Sequence, residues 1–203
     1  MLHTTLSLMK EKRISNAECE HVRKHLGLLK EYEYNTKIQL TDILDICGFY
    51  TTLHSLRAVL TTQKDERDKI IRLLAYEYSE HVTQEYQNYC DSNKNLREII
   101  NLTSIDVINN TIKENELKNA IAATVDLYNK VLIYRDSNKS TIATILYSLN
   151  AIQATISNSN THDSVWYLVA TSINAIVAMD KIKGALTGIE EEKWQAKRLK
   201  ERL

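Results

Sequence analysis

The stretch "DKIIRLLAYEYSEHVTQEYQNY", Asp68 to Tyr89, decides the fold. Ile71, Leu74, Tyr78, Val82, Tyr86 and Tyr89 recur at spacings of three and four. That is one stripe of an amphipathic α-helix, not the alternation of a strand. The stripe runs for more than five turns without a glycine or proline. The rest of the chain shares that bias: it holds no proline and four glycines in 203 residues. Proline breaks helix interiors and glycine weakens them, so a chain almost free of both is suited to helix.

Working outward, helix-start signals recur. Ser15 with Glu18, Thr111 with Glu114, and Thr187 with Glu190 each fit the capping box, in which a hydroxyl takes a free backbone N–H and the Glu reaches back. The spacing predicts helices near 4–13, 15–33, 41–47, 51–61, 65–90, 93–102, 104–110, 112–134, 139–157, 163–183 and 187–203. Nothing alternates as a strand between turn signals. The expected fold is all-α: an antiparallel helical array or bundle of about ten helices, able to run solenoid-like in its C-terminal half. It reads as one domain over 1–203, with a short-helix subregion at 1–61 and a longer-helix stack at 62–203.

Three of these helices share a short phrase: "NAIAA" at Asn119–Ala123, "NAIQA" at Asn150–Ala154 and "NAIVA" at Asn174–Ala178. The last two extend to "SLNAIQA" and "SINAIVA". At 100° per residue, Asn and both Ala share a broad face and Ile points nearly opposite. Small residues on one side and Ile on the other suit a helix packed on both sides. Chance in an Ala-, Ile- and Asn-rich chain is the other reading.

Charge and cysteine content narrow the function classes. Lys+Arg and Asp+Glu are 26 each, so the formal net charge is zero. Phosphate-driven nucleic-acid binding calls for a basic excess that is missing. Three cysteines without a CxxC resemble neither a disulfide framework nor a zinc module. "MLHTTLSLMKEKR" has no apolar run of signal-peptide length. "VWYLVATSINAIVAM", Val165–Met179, is interrupted by Thr171, Ser172 and Asn174 and is short for a membrane span. These features predict a cytoplasmic protein with no membrane contact.

Candidate chemistry concentrates in few places. His21 and His25 lie four apart on one helix, one turn after Glu18, a spacing that suits a metal ion; a boundary histidine pair beside the Cys19–Val22–Leu26 stripe is the alternative. Cys47 with His54, or Cys90 with His81, could form a thiolate pair. A thiolate at a helix C-terminus is opposed by the dipole, however, which favours inert thiols. "LTDILDICGFYTTLHSLRAV", Leu40–Val59, has the outline of a helix-turn-helix, and equally of a tight helix corner braced by Leu53, Leu56 and Leu60. At that corner Gly48 is expected just past the end of one helix and Thr51 or Thr52 at the cap of the next. "GALTG", Gly184–Gly188, supplies turn conformations between helices. No phosphate loop, GxSxG or paired-carboxylate motif occurs. No catalytic residue, metal ligand or cofactor is expected.

Residues of this corner and of the helix after it also carry a resemblance. Gly48, Leu53, Leu56, Arg57, Ala58 and Val59, then Ile71, Arg72, Leu73 and Ala75, resemble a pattern found in alanine-rich putative immunity proteins of bacteria and phages. His54 stands where that family tends to have Trp, and the C-terminal half is less rich in alanine than the family's. The resemblance implies an all-α protein without catalysis that neutralises a toxin or host defence effector by direct binding.

The leading expectation is therefore a non-enzymatic protein-binding module, immunity-like or phage-encoded, with homo-oligomerisation open. Arg57, Arg72, His54 and Trp194 are its candidate binding residues, with Trp166 and Tyr167 as further aromatic candidates, although core burial is the expected role of Trp166. Arg57 is expected to pair with an acid of the 65–90 helix. The alternatives are a small-molecule-binding helical protein, with Arg57, Arg72 and His54 holding an anion or nucleotide, and a helix-turn-helix DNA-binding regulator.

Overall fold

The computed structural model describes residues 1–27, 31–89, 114–134, 139–156, 161–184 and 186–203. Within them the protein is all-α apart from one ladder of two two-residue strands. The helices are α1 (Leu6–Glu11), α2 (Asn16–His25), α3 (Leu40–Cys47), α4 (Phe49–Ser55), α5 (Lys64–Tyr89), α6 (Glu114–Tyr134), α7 (Lys139–Ile156), α8 (Thr161–Lys183) and α9 (Thr187–Arg202). The helices expected at 93–102 and 104–110, the Thr111 capping box and Cys90 lie outside the described residues. Contacts divide the chain into two units, Met1–Ile70 with Arg198–Leu203, and Ile71–Lys197.

In the first unit, strand β1 (His3–Thr4) pairs antiparallel with β2 (Ile38–Gln39), with His3 opposite Gln39 and Thr4 opposite Ile38. Two residues are too few for alternating side chains to mark a strand. Its core is Leu6, Met9, Ile14, Cys19, Val22, Ile38, Ile43 and Ala58. The Ser15 capping box is formed: Glu18 N–H donates to Ser15 Oγ, and Ser15 N–H donates to Glu18 Oε2, each at 3.2 Å. The 15–33 helix stops earlier than expected, at His25, because Gly27 turns left-handed (φ 67°). The 51–61 helix starts earlier, at Phe49, and tightens to a 3-10 turn over Leu56–Ala58. There the backbone is drawn away by β1: Thr4 Oγ1 donates to Ala58 O at 2.6 Å, and Leu60 N–H donates to His3 O at 3.0 Å.

In the second unit, the predicted stripe of α5 is buried: Ile71, Leu74, Tyr78 and Val82 are inaccessible and Tyr86 nearly so. The Tyr89 side chain is outside those described. Helices α7 and α8 share the most extensive helix–helix contact, and α6 packs on α7. Four positions separate α7 from α8, and so short a connection makes the two antiparallel neighbours. Ser148 on α7 donates to Ala75 O of α5 at 2.8 Å. Val82 of α5 packs with Ala175, Ala178 and Met179 of α8. The repeated alanines of α7 and α8 act alike, since Ala151, Ala154, Ala175 and Ala178 are all buried and let helices approach, whereas in the α6 copy Ala120 is buried and Ala123 exposed. The repeated asparagines do not share that buried face. Asn150 and Asn174 are half-buried, and each donates Nδ2–H to its own helix four residues back, at Leu146 O and Ala170 O.

Candidate functional site

The expected corner at Cys47–Val59 is a corner. Gly48 takes φ 82° and serves as the end of α3 and the start of α4 at once, a conformation that favours glycine. Neither threonine caps α4. Thr51 Oγ1 donates instead to Glu18 Oε1 at 2.7 Å, and Thr52 Oγ1 to Gly48 O at 2.8 Å. Leu53 and Leu56 are fully buried. No residue of α4 is exposed, so it has no face to lay in a DNA groove.

The two described thiols, Cys19 and Cys47, are held protonated. Burial pushes Cys47 up to about 11, and the charges of Glu18 and Cys19 push the same way. Burial raises Cys19 likewise. The histidine pair is turned to backbone: His21 Nε2 sits 3.2 Å from Ile46 O, and His25 Nδ1 sits 3.1 Å from His21 O. Glu18, the third member of the metal reading, is committed to Ser15 and Thr51. Burial raises its carboxyl, but those hydrogen bonds and the charge of His54 outweigh it, and the net shift is downward.

The four candidate binding residues fall into two pairs. Arg57 and His54 belong to the first unit, Arg72 and Trp194 to the second. Arg57 is not paired with an acid of α5. It donates Nε–H to His54 O at 3.3 Å, burial lowers its guanidinium, and Glu18 is the acid that opposes that shift. Arg72 is 8% exposed and donates Nη1–H to Thr155 Oγ1 at 3.3 Å, which ties α5 to α7. Trp194 is half-buried, stacked on His81 with centroids 4.0 Å apart, and edge-on to Tyr78 at 6.1 Å.

Beneath Trp194 lies a polar cluster that the sequence pattern does not announce. The Glu191 side chain is fully buried, with Oε2 2.8 Å from His81 Nδ1. The two atoms are in ion-pair contact without the alignment of a hydrogen bond. Glu191 Oε1 accepts from Gln195 Nε2 at 2.8 Å, Gln195 Oε1 accepts from Ser172 Oγ at 2.6 Å, and Tyr78 Oη donates to Gln195 O at 3.2 Å. Among the described residues, the polar and ring contacts of His81 are Glu191 and Trp194, and no nucleophile is placed against its imidazole. The cluster joins α5, α8 and α9.

The exposed feature of this unit is the outer face of α8. Trp166, expected in the core, is 50% exposed, and Ile173 and Val177 are 46% and 38% exposed. These positions lie within about 40° of one another at 100° per residue. Ala175, Ala178 and Ser172 point the other way, to α5 and α9. Tyr147 of α7 and Tyr167 flank Trp166, edge-on at 5.8 and 5.2 Å. Apolarity on all sides hides this face from periodicity, because α8 has no polar stripe to mark it. The helix also passes, over Asp163–Lys183, the length and hydropathy expected of a membrane span, where the shorter Val165–Met179 stretch alone reads as too short and polar. Among the described residues, no group of three or more His, Cys, Asp or Glu side chains converges as a metal site would require.

Comparison with protein-family models, with curated proteins and with solved structures gives no match to this chain.

Proposed function

We propose that the protein is a non-enzymatic, all-α protein-binding module, immunity-like or phage-encoded, which neutralises a toxin or host defence effector in the cytoplasm by docking through the outer face of α8. The observation that carries this reading is the half-exposed Trp166, set between two tyrosines and in line with Ile173 and Val177. A large aromatic on a rigid helix, ringed by further apolar side chains, is the kind of anchor on which binding energy concentrates. The resemblance at Leu40–Val59 and Asp68–Val82 supports the class of partner. Trp194 and Arg72 brace helices of the same unit rather than line this face, and Arg57 and His54 belong to the first unit; each of the four is at least half-buried in internal contacts.

The test is affinity capture from source-cell lysate with wild-type, Trp166→Ala and Ile173→Asp baits whose helicity by circular dichroism is unchanged. One protein retained by wild type at near-equal stoichiometry and lost by both variants is the expected result. Capture that the variants retain, or turnover of a small molecule without a protein partner, sinks the reading.

A further inference from the structure

The apolar face of α8 is a seam with internal symmetry. Trp166, Ala170, Ile173 and Val177 follow one another at intervals of four, three and four, the spacing of core positions in a helix–helix seam. It covers about 16 Å of helix. An antiparallel second copy that sets Trp166 opposite Val177 also sets Ala170 opposite Ile173, because both pairs are centred between Thr171 and Ser172. Each contact then matches a larger side chain to a smaller one.

The charges follow the same symmetry. Asp163 and Lys181 are both exposed, and their midpoint coincides with that centre to within about half a residue. Both lie on the same side of the seam, each about 50° from its midline at 100° per residue. A two-fold axis perpendicular to α8 preserves sides and reverses direction. Asp163 of one copy therefore comes level with Lys181 of the other, twice per pair. Lys181 already reaches across to Ser140 Oγ at 3.1 Å, which holds its ammonium beside the seam. A parallel pairing would keep Asp163 and Lys181 about 27 Å apart along the axis and on opposite flanks, so only the antiparallel arrangement brings them together.

We infer that the occupant of this face in the free protein is a second copy of the chain, bound as an isologous dimer with α8 antiparallel to α8. The inference rests on the reading that the outer face of α8 is an interface, and it adds regulation: self-association and partner docking compete. A lipid surface is the other occupant that an apolar helix suggests, but it would use neither the paired spacing nor the opposite charges.

The experiment is sedimentation velocity on the full chain over a concentration series. Wild type is expected to dimerise, and Ile173→Glu to weaken the dimer at least about 30-fold, the loss typical of a central anchor. Asp163→Lys and Lys181→Asp should each weaken it about 10-fold alone, and the two mixed should restore it, because both cross-pairs become complementary again. A monomer at every concentration overturns the inference, as does a dimer indifferent to Ile173→Glu or charge variants that fail to complement. Wild type that stays monomeric while binding phosphatidylcholine–phosphatidylglycerol vesicles overturns it in favour of lipid. A monomer that still captures a partner through Trp166 refutes the dimer and leaves the proposed function standing. A dimer whose partner capture ignores Trp166 does the reverse.

Discussion

Glu191→Ala should be among the most damaging single substitutions in the second unit. Glu191 is a fully buried carboxylate with one oxygen facing His81 Nδ1 and the other accepting from Gln195. Alanine removes both acceptors. Gln195 keeps a long 3.4 Å contact to Ser172 O, and the His81 contact lacks hydrogen-bond alignment. Each orphaned donor is therefore placed at the low end of the usual penalty, about 1 kcal/mol. Removing its one buried methylene beyond Cβ adds about 0.8 kcal/mol. The sum, about 3 kcal/mol, falls at the low end of the range for breaking a buried pair by removing one partner. At about 2–4 °C per kcal/mol for a chain of this size, Tm should fall by about 6–12 °C. Glu191→Gln is the control. Its amide oxygen still accepts from Gln195, and its NH2 takes the place of the oxygen beside His81 Nδ1. That variant should cost about 1 kcal/mol, one neutral hydrogen bond replacing a charged one. Urea denaturation followed by tryptophan fluorescence and by circular dichroism measures both. Glu191→Ala within about 1 kcal/mol of wild type, or Glu191→Gln as damaging as Glu191→Ala, would refute the hydrogen-bond reasoning.

Three further outcomes follow from single contacts. A Cβ at Gly188 would stand 2.7 Å from Asp180 Oδ2, so Gly188→Ala should displace that carboxylate and forfeit its cap, about 1 kcal/mol; in an Asp180→Ala background the same change should stabilise by up to about 1 kcal/mol, and additive Tm shifts across the four variants would disprove the coupling. With its thiol raised from 9.0 to about 11, Cys47 should be alkylated by iodoacetamide at pH 8 about 100-fold more slowly in the native protein than in urea, as peptide mapping would show; equal rates would contradict the burial argument. Glu18 has a folded pKa below its ordinary 4.5, so it contributes stability that is present above that value and lost as pH falls through the folded one; Thr51→Val removes one of its donors and should move the acid-unfolding midpoint to higher pH in a titration from pH 6 to 2.

What was legible in the sequence was local. Ser15 and Glu18 announce the start of α2 because the cap needs only residues three apart. Ile71 to Tyr86 announce α5 because its buried face is a single stripe. The losses came where a distant partner overrides a local pattern. Leu56–Ala58 would continue α4 on propensity, but Thr4 takes the Ala58 carbonyl from 54 residues away. Thr187 matches a capping box, yet its hydroxyl is occupied by Met179 O and Gly184 O of the preceding turn, and Asp180 does the capping. Of the two glycines in "GALTG", Gly184 is a turn residue (φ 99°), whereas Gly188 is helical and small because Asp180 sits against it. The outer face of α8 was not legible in the sequence, which offers Trp166 and Tyr167 as aromatic candidates but puts Trp166 in the core. A Trp on a helix apolar all round can lie on any side of it, and only the neighbours decide that Trp166 faces outward while Trp194 stacks on His81.

The junction between α8 and α9 has a consequence for how this part of the chain is made. Thr187 closes carbonyls at the end of α8, and Asp180 takes the Gly188 amide in the first turn of α9, so each helix carries the other's terminator. Neither end can fray by itself without stranding a donor or acceptor on its neighbour. The exchange spans only eight residues of sequence, a short and rapidly closed loop. The hairpin can therefore form as one step early in folding, and it would deliver Ser172 and Gln195 to each other before α5 arrives with Tyr78 and His81.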